Sequence, residues 1–151
     1  MSTQQFAVAA ACALATAAVA AGPFDSFKGK MKEGMYETKM EMEIPGMPAG
    51  MGKQNMTFQN CVSKEDIEKG QVGKGNDKKG SDSCEVKNFK MSGNTATYTT
   101  VCKDPEMTAD TTISFNDNGY KMDMKTAMKQ NGQVMNMSQR MEGRYVGPCK
   151  K

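Results

Sequence analysis

Residues 120–141 read YKMDMKTAMKQNGQVMNMSQRM, and this stretch decides the fold. Asn131-Gly132 is the strongest hairpin signal in the chain, because both residues accept the positive φ angles of a type I′ turn. A two-residue loop there places Met128 opposite Met135 and Met122 opposite Met141. Alternate residues of a strand share a face, so one face holds every methionine of the stretch: Met122, Met124, Met128, Met135, Met137 and Met141. The pattern predicts two antiparallel strands whose methionines form the core.

The preceding hairpin continues this pattern. Asn116-Asp117-Asn118-Gly119 has turn composition, and closing it places Phe115 opposite Tyr120 on the methionine face. Three consecutive strands, roughly 108–115, 120–129 and 134–145, therefore form a meander. Because the only leucine of the chain is Leu14, methionine has to supply much of the apolar interior.

Upstream of the meander, a third hairpin and the cysteines predict two disulfides. The hairpin turns at residues 92–95, and one extra residue near Lys87-Asn88, a β-bulge, aligns Cys84 with Cys102. Of the four cysteines that follow the Ala/Val-rich N-terminus, that pairing leaves Cys61 and Cys149 to form the second bridge. A zinc site is the competing interpretation, but the chain has no CxxC pair and no histidine.

The first half of the chain supplies the remaining elements. Residues 36–44, YETKMEMEI, alternate as a strand does, and another strand begins near residue 55 after a Gly/Pro-rich loop at 45–52. Ser63 caps a short helix over 64–69 that Gly70 ends, and residues 71–83 form a polar loop. The sequence predicts an all-β fold, an antiparallel meander of about seven strands in a curled sheet or partly closed barrel, with one short helix.

The N-terminus has the composition of a signal peptide. Phe6 to Val19 is an Ala/Val-rich run, and the small residues after it suit cleavage after Ala20 or Ala21. The run is shorter than the roughly 20 residues that a bilayer span needs; a short buried or anchoring helix is the alternative. We expect a signal peptide at 1–21, a single β domain at 22–151, a periplasmic or secreted location, and no transmembrane segment in the mature chain.

Several segments share the pattern of one family. They are Met31-Lys32-Glu33-Gly34-Met35-Tyr36-Glu37, the Met-Glu-Ile-Pro-Gly-Met-Pro segment at 42–48, Cys61, the Cys84…Gly93-Asn94-Thr95…Cys102 block and Arg144-Tyr145-Val146-Gly147-Pro148-Cys149. In these segments the chain resembles the DUF3617 family of small exported proteobacterial proteins of unknown function, with Tyr36 where the family usually has Trp. The resemblance implies an exported β-protein with this cysteine pairing, and it implies no catalytic residues.

The residue types argue against enzymatic function and against nucleic-acid binding. The chain lacks histidine, the usual general base, and its lysines form no basic stripe.

We expect a non-enzymatic protein that binds a small apolar molecule or an envelope partner, because methionine favours adaptable binding surfaces. The alternative is Cu(I) or Ag(I) handling by thioethers, with Met47, Met51 and Met56 as the candidate ligands. Reversible oxidation of exposed methionine is a third possibility. No other cofactor is expected.

Overall fold

The computed structural model describes residues 22–48, 50–72 and 83–150, so the predicted signal peptide and most of the predicted polar loop lie outside the described residues. The fold is one antiparallel sheet with the strand order β2-β1-β7-β6-β5-β4-β3. Its strands are β1 (Gly34–Glu43), β2 (Lys53–Val62), β3 (Cys84–Ser92), β4 (Thr95–Lys103), β5 (Glu106–Asn116), β6 (Gly119–Gln130) and β7 (Gln133–Gly147). The predicted all-β meander is confirmed, and the sheet is open, with β2 and β3 at its edges.

The register predicted from the Asn131-Gly132 turn is confirmed. Met128 lies opposite Met135, and Met122 lies opposite Met141. Asn131 and Gly132 have φ angles of 52° and 78°, as a type I′ turn requires. The next hairpin also agrees, because Phe115 is the partner of Tyr120.

The predicted bulge in β3 and both predicted disulfides are confirmed. The β3–β4 register shifts between Lys87 and Lys90. This shift places Cys84 opposite Cys102 with Cα atoms 4.0 Å apart. The second bridge joins Cys61 to Cys149 across a Cα distance of 5.5 Å. It ties the residues that follow β7 to the far end of β2.

The predicted helix is also present, as α1 (Lys64–Glu68). The Ser63 hydroxyl accepts a hydrogen bond from the Asp66 N–H, and the Asp66 carboxylate accepts one from the Ser63 N–H, which completes a capping box. Gly70 follows with a φ of 64°, and a Cβ there would lie 2.6 Å from the Phe24 ring. A glycine at this position therefore lets the chain turn directly over Phe24.

The sheet is covered on one face by α1 and by residues 22–33, which contain a 3₁₀ turn at Asp25–Phe27. Phe27 is fully buried and lies 4.8 Å, ring centre to ring centre, from Phe115. Phe24 packs 5.1 Å from Tyr98 and 5.7 Å from Phe89. Lys28 connects the two covering elements through Asp25 and Glu68. The sequence analysis missed Phe24 and Phe27; an aromatic pair just after the predicted signal peptide was the available cue.

The expectation that methionines build the core holds for Met122 and Met141, with Met124 packed against the core, and is wrong for the other three methionines of the β6–β7 ribbon. Met122 and Met141 are buried, but Met124, Met128 and Met137 are only half-buried and Met135 is exposed. All of these residues share a face, as predicted. Their exposure differs because the covering elements pack on only one half of that face. There the aromatic rings of the covering elements form part of the core.

Candidate functional site

The uncovered half of the apolar face carries a group of methionines that we call the methionine patch. It consists of Met42, Met56, Met107, Met124, Met128, Met135 and Met137. The strand registers make these residues neighbours: Met128 lies between Met107 and Met135, and Gln139 lies between Met42 and Met124. The patch therefore extends over β2, β1, β7, β6 and β5.

The methionine patch is partly open and contains no charged side chain. Met56 and Met135 are 45% and 37% exposed, and the other members are half-buried. The registers place only uncharged residues between them on this face: Gln54, Thr100, Ala109, Thr126 and Gln139. In the described part of the chain, the ion pairs of these strands lie on the opposite face. Apolar surface of this kind remains exposed at a cost that a ligand or partner would remove.

The three predicted copper ligands occupy two different places. Met47 and Met51 lie in the loop between β1 and β2, where they are 49% and 65% exposed. The Ile44 N–H donates to the Gly52 carbonyl and closes this loop. Met56 lies within β2, directly opposite Met40 of β1. The fold therefore associates Met56 with the sheet face and leaves Met47 and Met51 on the connecting loop.

A row of methionines crosses four strands at the border of the patch and shares Met56 with it. Met56 pairs with Met40, Met40 with Met141, and Met141 with Met122. Directly opposite residues of an antiparallel pair have Cβ atoms about 4.5–5.5 Å apart, so neighbouring thioethers along the row are within reach of one another. Exposure changes along the row, from exposed Met56 through half-buried Met40 to the buried Met141 and Met122. Sequence spacing gave no sign of this row, because its members come from distant parts of the chain.

The opposite face of the sheet is charged, and its charges pair across strands. Arg140 donates to Asp123 at 2.9 Å, and Lys129 lies 3.5 Å from Glu106. A shallow depression of about 290 Å³ on this face includes Glu41 and Glu43 among its lining residues. Both of these acids are exposed. Mixed, exposed and paired charges of this kind are typical of a solvated surface.

Two buried tyrosines, Tyr36 and Tyr120, lie in the covered half of the face. The Tyr120 hydroxyl lies 3.3 Å from the Thr38 hydroxyl, which also donates to the Asn60 side-chain oxygen at 3.0 Å. Burial raises the pKa of Tyr120, and its contact with Thr38 partly offsets that rise. Burial likewise raises the pKa of Tyr36, whose hydroxyl donates to the Lys32 carbonyl. The Tyr36 hydroxyl holds the covering segment to β1 at Lys32, whereas the Tyr120 hydroxyl contacts Thr38 within the sheet.

Two further features bear on the kind of site. Among the residues that the structure describes, no group of three or more Cys, Asp or Glu side chains is arranged to hold a metal ion. The described part of the chain also has no helix of the length and apolarity that a membrane crossing requires.

Comparison with known families identifies the chain. The family described as protein of unknown function (DUF3617) matches residues 31–149. The protein belongs to the DUF3617 family. This match spans all seven strands, α1 and both disulfides of the fold. No curated protein and no solved structure matches the chain.

Proposed function

We propose that this DUF3617 protein is an exported, non-enzymatic binding protein of the bacterial envelope that holds a small apolar molecule against the methionine patch. One observation carries the proposal: half of the apolar face is closed by aromatic residues, while the other half is charge-free and partly exposed. A contiguous exposed apolar surface is typical of a binding site.

The chemistry of the patch favours an uncharged ligand. A carboxylate or ammonium group placed there would lose hydration without gaining a charged partner, which costs several kcal/mol. Methionine side chains are flexible and polarisable, so they adapt to ligands of different shape. Gln54 and Gln139, which flank Met42, offer hydrogen bonds to a polar end of the ligand at one side of the patch.

Export is supported by two independent features. The Ala/Val-rich run from Phe6 to Val19 suits a signal peptide, and two disulfides are typical of an oxidising compartment. Cleavage after Ala20 or Ala21 leaves Phe24 and Phe27 in the mature chain, where the core needs them. The intact denatured mass of protein isolated from the periplasm is expected to lack residues 1–20 or 1–21 and about four hydrogens.

Binding can be measured with N-phenyl-1-naphthylamine, an uncharged dye whose fluorescence rises in apolar surroundings. Wild-type protein is expected to bind it with micromolar affinity. Changing Met56→Lys and Met135→Lys together places two charges in the patch at exposed positions, where the fold tolerates them. Dye binding is expected to weaken at least tenfold.

The matched control adds the same two charges to the other face of the same strands, as Asn55→Lys with Val134→Lys. Asn55 and Val134 are also exposed, and Val134 is 63% exposed. The control should bind the dye as wild type does. If wild type does not bind the dye, or if both double variants weaken binding equally, the patch is not a binding site.

A second candidate function, Cu(I) or Ag(I) handling, is favoured by a different observation. Met56 and Met40 are direct cross-strand partners, and Met42 follows Met40 on the same face. Three thioethers on adjacent strand positions give a soft ligand set that suits Cu(I) where thiols are oxidised to disulfides. Met47 and Met51 lie at the exposed end of the same hairpin.

Met→Leu substitutions distinguish the two functions, since leucine keeps the apolar surface and removes the sulfur. If the protein handles Cu(I), Met56→Leu should abolish Ag(I) uptake in a native mass spectrum and leave dye binding intact. Met47→Leu with Met51→Leu tests the loop in the same way. Wild-type protein that takes up no Ag(I) at a threefold excess would exclude this function.

A further inference from the structure

The two edges of the open sheet are built very differently. The β3 edge carries Glu85, Lys87 and Lys90, and its register is interrupted by the bulge at Asn88, whose φ is 54°. Charges and bulges of this kind protect an edge strand from pairing with another chain. The β2 edge has neither: its ten residues pair with β1 without a register shift, and Lys53 at its start is its only charged residue.

The backbone of β2 presents unused hydrogen-bonding groups outward at its odd-numbered residues. The Ile44 N–H donates to the Gly52 carbonyl at 2.8 Å. In an antiparallel pair, residues that bond to the partner strand alternate with residues that do not. Continuing the β1–β2 register from Gly52, the even-numbered residues of β2 bond to β1. The N–H and C=O groups that point away from the sheet therefore belong to Lys53, Asn55, Thr57, Gln59 and Cys61.

We propose that β2 pairs with β2 of a second copy of this chain, antiparallel and centred on Thr57, so that two sheets join edge to edge. The sequence around Thr57 is QNMTFQN, and it is nearly the same in residue type in both directions. A two-fold axis at Thr57 pairs each residue with a chemically matching one. This register also aligns odd-numbered with odd-numbered residues, as the outward backbone groups require.

The central side-chain pairs across this interface are favourable. On the apolar face, Met56 meets Phe58 of the second copy, a thioether–aromatic contact. On the polar face, Thr57 meets its own copy and Asn55 meets Gln59; both kinds of polar pair occur between neighbouring strands. Lys53 lies far from its symmetry mate, so the register brings no like charges together. Pairing also covers Met56, which is 45% exposed in one copy.

The size of the contact sets the expected affinity. One strand pair supplies about eight to ten backbone hydrogen bonds but buries less than the roughly 1,600 Å² of a standard interface. We therefore expect a dimer that dissociates in the micromolar range. The pairing would also bring the two methionine patches onto one continuous face.

Analytical ultracentrifugation of the disulfide-bonded protein, from about 5 to 500 μM, tests the dimer. Thr57→Pro removes one outward N–H at the axis and leaves the bonds to β1 in place, because proline is tolerated on an edge strand. This variant should be monomeric over the range. The control, Thr57→Val, keeps the N–H and a β-branched side chain and should dimerise as wild type does.

Cross-linking tests the register. Facing Cα atoms in a hydrogen-bonded pair are about 5.5 Å apart, a distance that suits a disulfide. Thr57→Cys should therefore give a covalent dimer under mild oxidation. Gln59→Cys should not, because its own symmetry mate lies about 13 Å away along the strand.

Three results would overturn the proposal. Wild-type protein that stays monomeric at 500 μM would exclude the dimer. Equal dimerisation of Thr57→Pro and Thr57→Val would place the contact elsewhere. Cross-linking of Gln59→Cys as fast as Thr57→Cys would exclude an interface centred on Thr57.

Discussion

At the scale of single residues, Tyr98 couples the stability of the fold to pH. Its side chain is 8% exposed on β4, against Phe24 and Phe89. Burial raises the pKa of Tyr98 to about 12. The neighbouring Thr111 hydroxyl partly offsets this rise. An unfolded tyrosine ionises near pH 10. The neutral, buried side chain therefore stabilises the fold below pH 10, and this contribution is lost as the pH rises from 10 to about 12.

We expect the free energy of unfolding to fall by about 2–3 kcal/mol over that interval because of Tyr98 alone. Tyr98→Phe removes the ionisable group and should flatten the pH profile of the urea midpoint above pH 10. Some slope should remain, since burial also raises the pKa of Tyr36 and of Tyr120. Parallel profiles for wild type and Tyr98→Phe would contradict the prediction.

The methionines show what a sequence pattern does and does not determine about a residue. The alternation of residues 120–141 predicted correctly that Met122 and Met135 share a face. It gave no reason to expect that Met122 is 2% exposed and Met135 37% exposed. Their exposure depends on where Phe24 and Phe27 pack, and no periodicity connects those residues to the strands.

At the scale of elements, the two disulfides constrain very different lengths of chain. Cys84–Cys102 joins neighbouring strands with a sequence separation of 18, whereas Cys61–Cys149 has a separation of 88. In the chain-entropy description, the longer loop contributes about 4–5 kcal/mol and the shorter about 3 kcal/mol. We expect Cys61→Ser with Cys149→Ser to lower the melting temperature more than Cys84→Ser with Cys102→Ser.

Differential scanning calorimetry of the two double-serine variants at equal protein concentration measures this order. A larger loss for Cys84→Ser with Cys102→Ser would mean that the bridge acts mainly in the native state, by holding β3 to the sheet. Replacing both cysteines of a bridge in each variant avoids a free thiol that would exchange with the remaining disulfide.

Local chemistry explains why the hairpins were predictable and the sheet order was not. The β6–β7 register follows from Asn131-Gly132, and the β3 bulge follows from the need to align Cys84 with Cys102. The position of β1 between β2 and β7 depends on contacts such as Met40 with Met141. Those residues lie far apart in the sequence, and no turn residue determines their pairing. The methionine patch depends on this order and so was visible only in the structure.

At the scale of the whole molecule, the segment that completes the core lies outside the family match. The match begins at residue 31, but Phe24 and Phe27 precede it and pack against the rings of three strands. Removing a buried phenylalanine costs about 3–5 kcal/mol, and a domain of this size is stable by about 5–15 kcal/mol. Loss of both rings would therefore remove most of the stability.

We expect a chain that starts at Met31 to lose its near-ultraviolet circular dichroism and to unfold at far lower urea than one that starts at Gly22. Phe24→Ala in the longer chain, with an intermediate urea midpoint, separates the effect of one ring from that of the missing backbone. Equal midpoints for the two chains would show that residues 22–30 are dispensable for the core. The expected result means instead that the folding unit extends N-terminally beyond the matched region, because half of the sheet face is closed by a segment from outside it.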